Sequence, residues 1–301
     1  MEVGTLAIIM TSILSVGIFG NVNIILATVR TKHLQTKIHI LVAIMAALDL
    51  IAIGFELSSA MRMFFHTESM SRQRCFRFLW VYLFVYDTQM AVGLLIAIDR
   101  LVAVTCPLSY NRLSSKWTIL VLFAGTVIGA VPVAISYFFL ADDILPVCNP
   151  PLVVPKCVYF YWNGLSALLA LTIITVYLCV FVLMHQKTRD NLKQLQITKT
   201  LASTIIAYAS TKLTAVLMTF TSPLFIANEN LINIINTYCV LLVSLEYSIN
   251  YWLLLLRKDD TYRKPFLQQL CLGRLRVLKT TVNVHLVQSL WKPEGVATRT
   301  V

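Results

Sequence analysis

FLWVYLFVYDTQMAVGLLIAIDRLVAV, residues 78–104, decides the fold. Its 27 residues hold three charges: Asp87, Asp99 and Arg100, the last two side by side at one end. As a helix rising about 1.5 Å per residue it is about 40 Å long, enough to cross a hydrocarbon core of about 30 Å. A charge inside such a stretch is expensive in lipid and must face protein.

Six further stretches have the same character: 5–28, 38–60, 117–140, 159–184, 200–226 and 231–256. The connectors between the seven run from 4 to 18 residues, too short for a separate domain. Over the chain 58% of residues are apolar and 13% charged, far from the roughly half apolar and one quarter charged of a soluble domain. The expectation is an all-α membrane protein, a seven-transmembrane helix bundle, since helices are the open-chain way to satisfy backbone groups in lipid. MEVG precedes the first span without a basic lead, which predicts an uncleaved first helix.

Lys and Arg placement predicts the orientation. The segments 29–37, 105–116, 185–199 and 257–301 carry 18 of the 25 basic residues. Basic loops stay cytoplasmic, so the N-terminus is expected outside and the C-terminus inside. The net charge of +11 is then a topological signal with attraction to anionic lipid, and no nucleic-acid partner is expected. Segment 61–77 runs against the bias with Arg62, Arg72, Arg74 and Arg77. It reads as a solvated loop, or as a basic rim facing Asp142 and Asp143 or drawing acidic ligands.

Of seven cysteines, Cys75, Cys148 and Cys157 fall on the expected outside, where disulfides persist. Cys75 stands at the start of the third span, and Cys148 or Cys157 is its partner from the loop after the fourth. Cys179 and Cys239 lie within spans and read as small core residues. Cys271 reads as a palmitoylation site or a free thiol.

The ionisable residues within spans are Asp49, Glu56, Asp87, Asp99, Arg100, Lys212 and Glu246. Asp49 and Glu246 lie about 16 Å from their span ends and Lys212 about 19 Å. With Gln89 and Asn250 they converge near mid-membrane, and Asn21 lies slightly below. Such a cluster binds a small cation, shares a proton or contains an ion pair, Lys212–Glu246 or Lys212–Asp49. Asp49 is the residue to hold a sodium ion or a proton; otherwise no cofactor is expected. A purely structural polar network is the plain alternative. In the third span Tyr82, Tyr86, Gln89 and Arg100 share one face, with Asp87 about 140° away towards a neighbouring helix. Glu56 lies about 10 Å nearer the outside than Asp49 on one face, so Tyr82, Tyr86 and Glu56 outline a candidate ligand pocket.

These features resemble the rhodopsin-like (class A) G-protein-coupled receptors over nearly the whole chain. The resemblance rests on GN (Gly20, Asn21), LDL around Asp49, Cys75 lying 25 residues before Arg100, and IDRLVAVTCPLSY with its loop proline Pro107. NYWLL from Asn250 and TYRKPFLQQLC at 261–271 complete it, the latter as a short amphipathic eighth helix. The receptor domain is thus 1–271 and the cytoplasmic tail 272–301. Within the superfamily the chain is similar to the nematode serpentine chemoreceptors of class sx, through GNVNIILATVRTKHL, VCNPP, YWN before the fifth span and the terminal YRKPF. The VCNPP pattern favours Cys148 over Cys157.

The resemblance implies a plasma-membrane receptor, with a sensory cilium as its place by family. It implies an extracellular ligand, a small molecule or peptide, and a heterotrimeric G protein on the cytoplasmic side. Asp99, Arg100 and Pro107 take the coupling and inactive-state positions, and the sixth helix moves outward on activation. Several positions depart from the pattern: Leu101 follows Arg100, Tyr251 and Leu254 replace the last-span proline and tyrosine, and the sixth span has no CWxP. Tyr208 and Lys212 stand where the family has phenylalanine and the switch tryptophan. The rival reading is a proton-coupled transporter or ligand-gated channel, which mid-membrane carboxylates and a lysine also suit. No internal repeat favours it, and no HExxH, GxSxG or GxGxxG suggests an enzyme.

Overall fold

The computed structural model describes residues 3–106, 110, 115–187, 192–226, 228–256 and 260–270. Pro107, Cys271 and the tail 272–301 lie outside the described residues. Seven long helices follow one another: α1 (Val3–Arg30), α2 (Lys37–Phe64), α3 (Arg72–Thr105), α4 (Ser115–Phe138), α5 (Lys156–Lys187), α6 (Leu192–Phe225) and α7 (Glu229–Leu256). A shorter helix, α8 (Asp260–Gln269), follows. Among the described residues, five helices are long and apolar enough to cross a membrane: α1, α2, α3, α5 and α7. The sixth is rich in Ser and Thr, whose hydroxyls are satisfied within the helix. Thr211, Thr214 and Thr221 each donate to a carbonyl four residues back, at 2.9, 2.8 and 2.7 Å.

Sequence neighbours pack as spatial neighbours, α7 closes the ring on α1, and α3 runs through the middle against α2, α4, α5 and α6. Small residues set the closest approaches. A Cβ on Gly20 would lie 2.6 Å from Tyr251 Cβ, and one on Gly129 would lie 2.7 Å from Asp87 Cβ, so α1–α7 and α3–α4 contacts both need glycine. The helix α8 docks through Tyr262, whose hydroxyl is 2.6 Å from His39 Nδ1, and through Phe266, whose ring lies 4.6 Å from that of Tyr251.

One end of the bundle carries a built cover. Strands β1 (Met70–Ser71) and β2 (Ile144–Leu145) pair antiparallel, with Met70 opposite Leu145. Cys75 is bonded to Cys148, while Cys157 is free and exposed. Asn149 caps the helical turn Pro150–Val153, accepting from Leu152 N at 3.1 Å. Arg72 grips Asp143 with both arms, Nε to Oδ1 at 2.6 Å and Nη2 to Oδ2 at 2.7 Å, and its Nη1 also donates to the Leu152 carbonyl. Of the four arginines in 61–77, Arg72 is thus the one that meets an acid of the facing loop.

Hydrogen bonds from Arg72 hold the Asp143 carboxyl below its ordinary 3.8. A depressed carboxyl contributes stability above its unfolded value and loses it as pH falls through the folded value. The clasp should therefore hold at neutral pH and release only below about pH 3.8. Hydrogen exchange of the 141–147 amides checks this: protection unchanged between pH 7 and 5, lost in Arg72→Gln at both.

Cys179, expected as a small core residue, is not one. Cys179 is exposed, because α5 turns Ala170, Ile173, Tyr177 and Val180 to the core and Cys179 lies on the opposite side of the helix.

Candidate functional site

From the disulfide end inward, the polar residues form four successive layers. The first is a cavity of about 50 Å³ lined by Glu56, Tyr82, Tyr86 and Trp162 below the Asn149–Pro151 turn, with Asn236 of α7 on its far wall. Tyr82 and Tyr86 stack at 6.4 Å, and Trp162 lies against Tyr86 at 5.4 Å. The Tyr82 hydroxyl is 3.0 Å from that of Tyr247. Glu56 is buried with the Tyr82 hydroxyl as its hydrogen-bond partner, while the Arg62 guanidinium donates to Ser58 and Ser59. Asp87 points away from the cavity face and accepts from Trp162 Nε1 at 2.9 Å.

The second layer is Lys212. Its Nζ lies 3.4 Å from Glu246 Oε1, both side chains fully buried. At that separation the contact is an ion pair. Nζ also donates to the Tyr208 hydroxyl at 3.0 Å and sits 3.6 Å from the centre of the Tyr86 ring. The ring face is electron-rich and attracts a cation, more strongly when both are out of water. Tyr86 is thus both cavity wall and lysine seat.

The third layer centres on Asp49. Gln89 Nε2 donates to its Oδ1 at 2.8 Å and Asn250 Nδ2 to its Oδ2 at 3.1 Å. The alternative pairing of Lys212 with Asp49 is not formed: two amides occupy the carboxylate, and Glu246 on α7 takes the lysine. Asn21 does not reach Asp49; its Nδ2 donates to the Tyr247 carbonyl at 2.8 Å, tying α1 to α7. Beside Asp49 is a cavity of about 20 Å³ lined also by Asn21 and Asn250, room for about one water or small ion.

The fourth layer lies at the other end. Arg100 Nη2 is 2.5 Å from Asp99 Oδ2, and Lys37 Nζ of α2 is 3.3 Å from Asp99 Oδ1. The Tyr110 hydroxyl donates to Asp99 Oδ2 at 3.1 Å and accepts from Arg100 Nη2 at 3.0 Å. Burial pushes the Tyr110 phenol above its usual value, so it keeps its proton as donor at neutral pH. Sequence reasoning missed Lys37, counted only as a loop charge, and Tyr110, although it ends the IDRLVAVTCPLSY stretch. It also missed the cavity asparagines. Asn236 precedes Val240, Val243 and Tyr247 by 4, 7 and 11 residues, one helical face, which was the available signal.

A core carboxylate clasped by amides, a disulfide-tied cover and an Asp-Arg pair at the opposite end of the same helix all point the same way. Residues 14–270 match the family described as serpentine type 7TM GPCR chemoreceptor Srsx. Comparison with curated proteins gave no match. The match covers well over half of the chain, and the protein belongs to the Srsx family of serpentine seven-transmembrane G-protein-coupled chemoreceptors.

Proposed function

We propose that this chain lies in the plasma membrane with the disulfide end outside, takes a ligand in the Glu56–Tyr82–Tyr86 cavity, and activates a heterotrimeric G protein at the Asp99–Arg100 end through outward movement of α6. The double position of Tyr86 carries the reading. A ligand lies on the cavity side of the ring, and Lys212 of α6 sits 3.6 Å from its centre. Whatever tilts Tyr86 alters how α6 is held to α3 and, through Glu246, to α7. To shift the receptor from mostly closed to mostly open, the ligand must favour the open arrangement by about 5 kcal/mol. Asp99, itself fixed by Lys37, and Tyr110 hold Arg100 in the closed arrangement, and release of Arg100 exposes a guanidinium to the G protein.

Asp49 sets the resting balance. Gln89 Oε1, Asn250 Oδ1 and Asn21 Oδ1 are buried acceptors without a partner, beside a carboxylate and a small cavity. Oxygen-only surroundings suit a small hard cation, and Asp49 with these amides would hold sodium or a proton there.

The test is nucleotide exchange on co-expressed G proteins, with membrane current recorded in the same cells. Exchange is expected, and Arg100→Ala should lower it about tenfold or more at equal surface expression, whereas Asp99→Asn should raise basal exchange. Current without exchange would put a transporter or channel in place of the receptor. Replacing sodium by choline, and separately varying pH, tells the two Asp49 occupants apart; Asp49→Asn should remove either dependence.

A further inference from the structure

The cavity wall says what kind of molecule fits it. The cations near it are already matched, Lys212 by Glu246 and Arg72 by Asp143, while Arg62 donates to Ser58 and Ser59; the acids Glu56 and Asp87 are met by the Tyr82 hydroxyl and the Trp162 indole. An anionic ligand would be buried there without a counter-charge, which is strongly unfavourable, and an ammonium group, which only donates, has nothing to offer an unmatched donor. Two polar atoms on the wall are unmatched. Asn149 uses its carbonyl oxygen to cap Leu152 N, and its Nδ2 has no partner. Asn236 Oδ1 has none either. Both residues line the cavity, at 3% and 4% exposure. A buried donor or acceptor left unmade costs about 1–3 kcal/mol, so a molecule that satisfies both gains most of its affinity there. The rest of the wall is largely apolar, with Pro150, Pro151, Val216, Val240 and Val243. The 50 Å³ volume admits roughly four water-sized positions, which sets the scale of the enclosed part at a few heavy atoms.

We infer that the cavity binds a small uncharged molecule whose hydroxyl or carboxamide group accepts from Asn149 Nδ2 and donates to Asn236 Oδ1, with a short apolar body against the proline and valine wall. The inference rests on the reading of this cavity as the ligand site. Its donor and acceptor come from two separate elements, the capped turn and α7. A ligand bridging them ties the cover to the helix that holds Glu246, so the same contact gives binding and a pull on the charge pair.

The experiment uses purified full-length receptor in lipid nanodiscs and four probes of one skeleton: 1-butanol, butanamide, butanoate and butylammonium. Thermal unfolding is followed at rising probe concentration. The two neutral probes should raise the midpoint by about 3 °C at saturation, and the two ions should leave it unchanged. Asn149→Ser keeps the capping oxygen for Leu152 and removes only the amide donor; Asn236→Leu removes the acceptor at similar volume. Each should lose most of the neutral-probe shift. Asn149→Ser alone decides the matter if Asn236→Leu does not fold. The inference is overturned if an ion stabilises as well as the neutral probes, if no probe stabilises, or if the neutral shift persists in both variants, which would make it a lipid effect. The readout needs no G protein, so absent nucleotide exchange would sink the receptor mechanism while leaving this binding result intact.

Discussion

Lys212→Met should lower the unfolding midpoint of the purified receptor by about 10 °C, the equivalent of about 3–5 kcal/mol. The substitution leaves Glu246 fully buried without its charge partner, and it removes the cation from the Tyr86 ring. Breaking one side of a buried pair is far more harmful than neutralising both. Lys212→Met with Glu246→Gln should therefore recover a large part of the loss, and the double-mutant cycle should show a coupling of about 1–3 kcal/mol. Basal nucleotide exchange should follow the same pattern: raised in Lys212→Met, because α6 is no longer held to α7, and partly restored in the double variant. A double variant no more stable than Lys212→Met, with the same basal activity, would mean the pair neither supports the bundle nor restrains α6.

Loss of the Cys75–Cys148 bond should have an effect of similar size. The bond closes a loop of 73 residues, and the loop-closure argument assigns such a length about 4 kcal/mol. Cys75→Ser and Cys148→Ser should be equally unstable, and reductant should bring the parent to the same midpoint. The free Cys157 makes the comparison informative. A milder loss in Cys148→Ser than in Cys75→Ser would show that Cys157 takes over the bond. Because Arg72 and the β1–β2 pair still hold the cover in either variant, the response to ligand should weaken without vanishing.

How much of this was legible in the sequence differs by residue. Span positions follow from apolar length alone; every helix begins ahead of its expected stretch because backbone pairing continues past the hydrocarbon edge, while α4 and α6 stop just short at the far end. The meeting of Asp49, Gln89 and Asn250 was readable from depth and helical angle, since all three project from long straight helices. The choice between Glu246 and Asp49 as partner of Lys212 was not. Both carboxylates lie at nearly equal depth, and the rotation of α6 about its own axis, which decides between them, is set by packing among helices far apart in the chain. Lys37 and Tyr110 escaped for a related reason: both sit just outside a span, where a charge or a phenol looks like ordinary loop. Asn149 and Asn236 matter through what they lack, and an unmet hydrogen bond has no signature in sequence.

The cluster around Asp99 has a further consequence. Lys37 and Arg100 share that single carboxylate, so the trio carries one uncompensated positive charge. An approaching acidic chain end would feel this charge before touching anything, and would be steered to the guanidinium it must capture. Steering of this kind fades with ionic strength, over a screening distance of about 8 Å at physiological salt. The speed at which a partner finds this receptor should therefore fall as salt rises, even where the strength of the finished complex changes little.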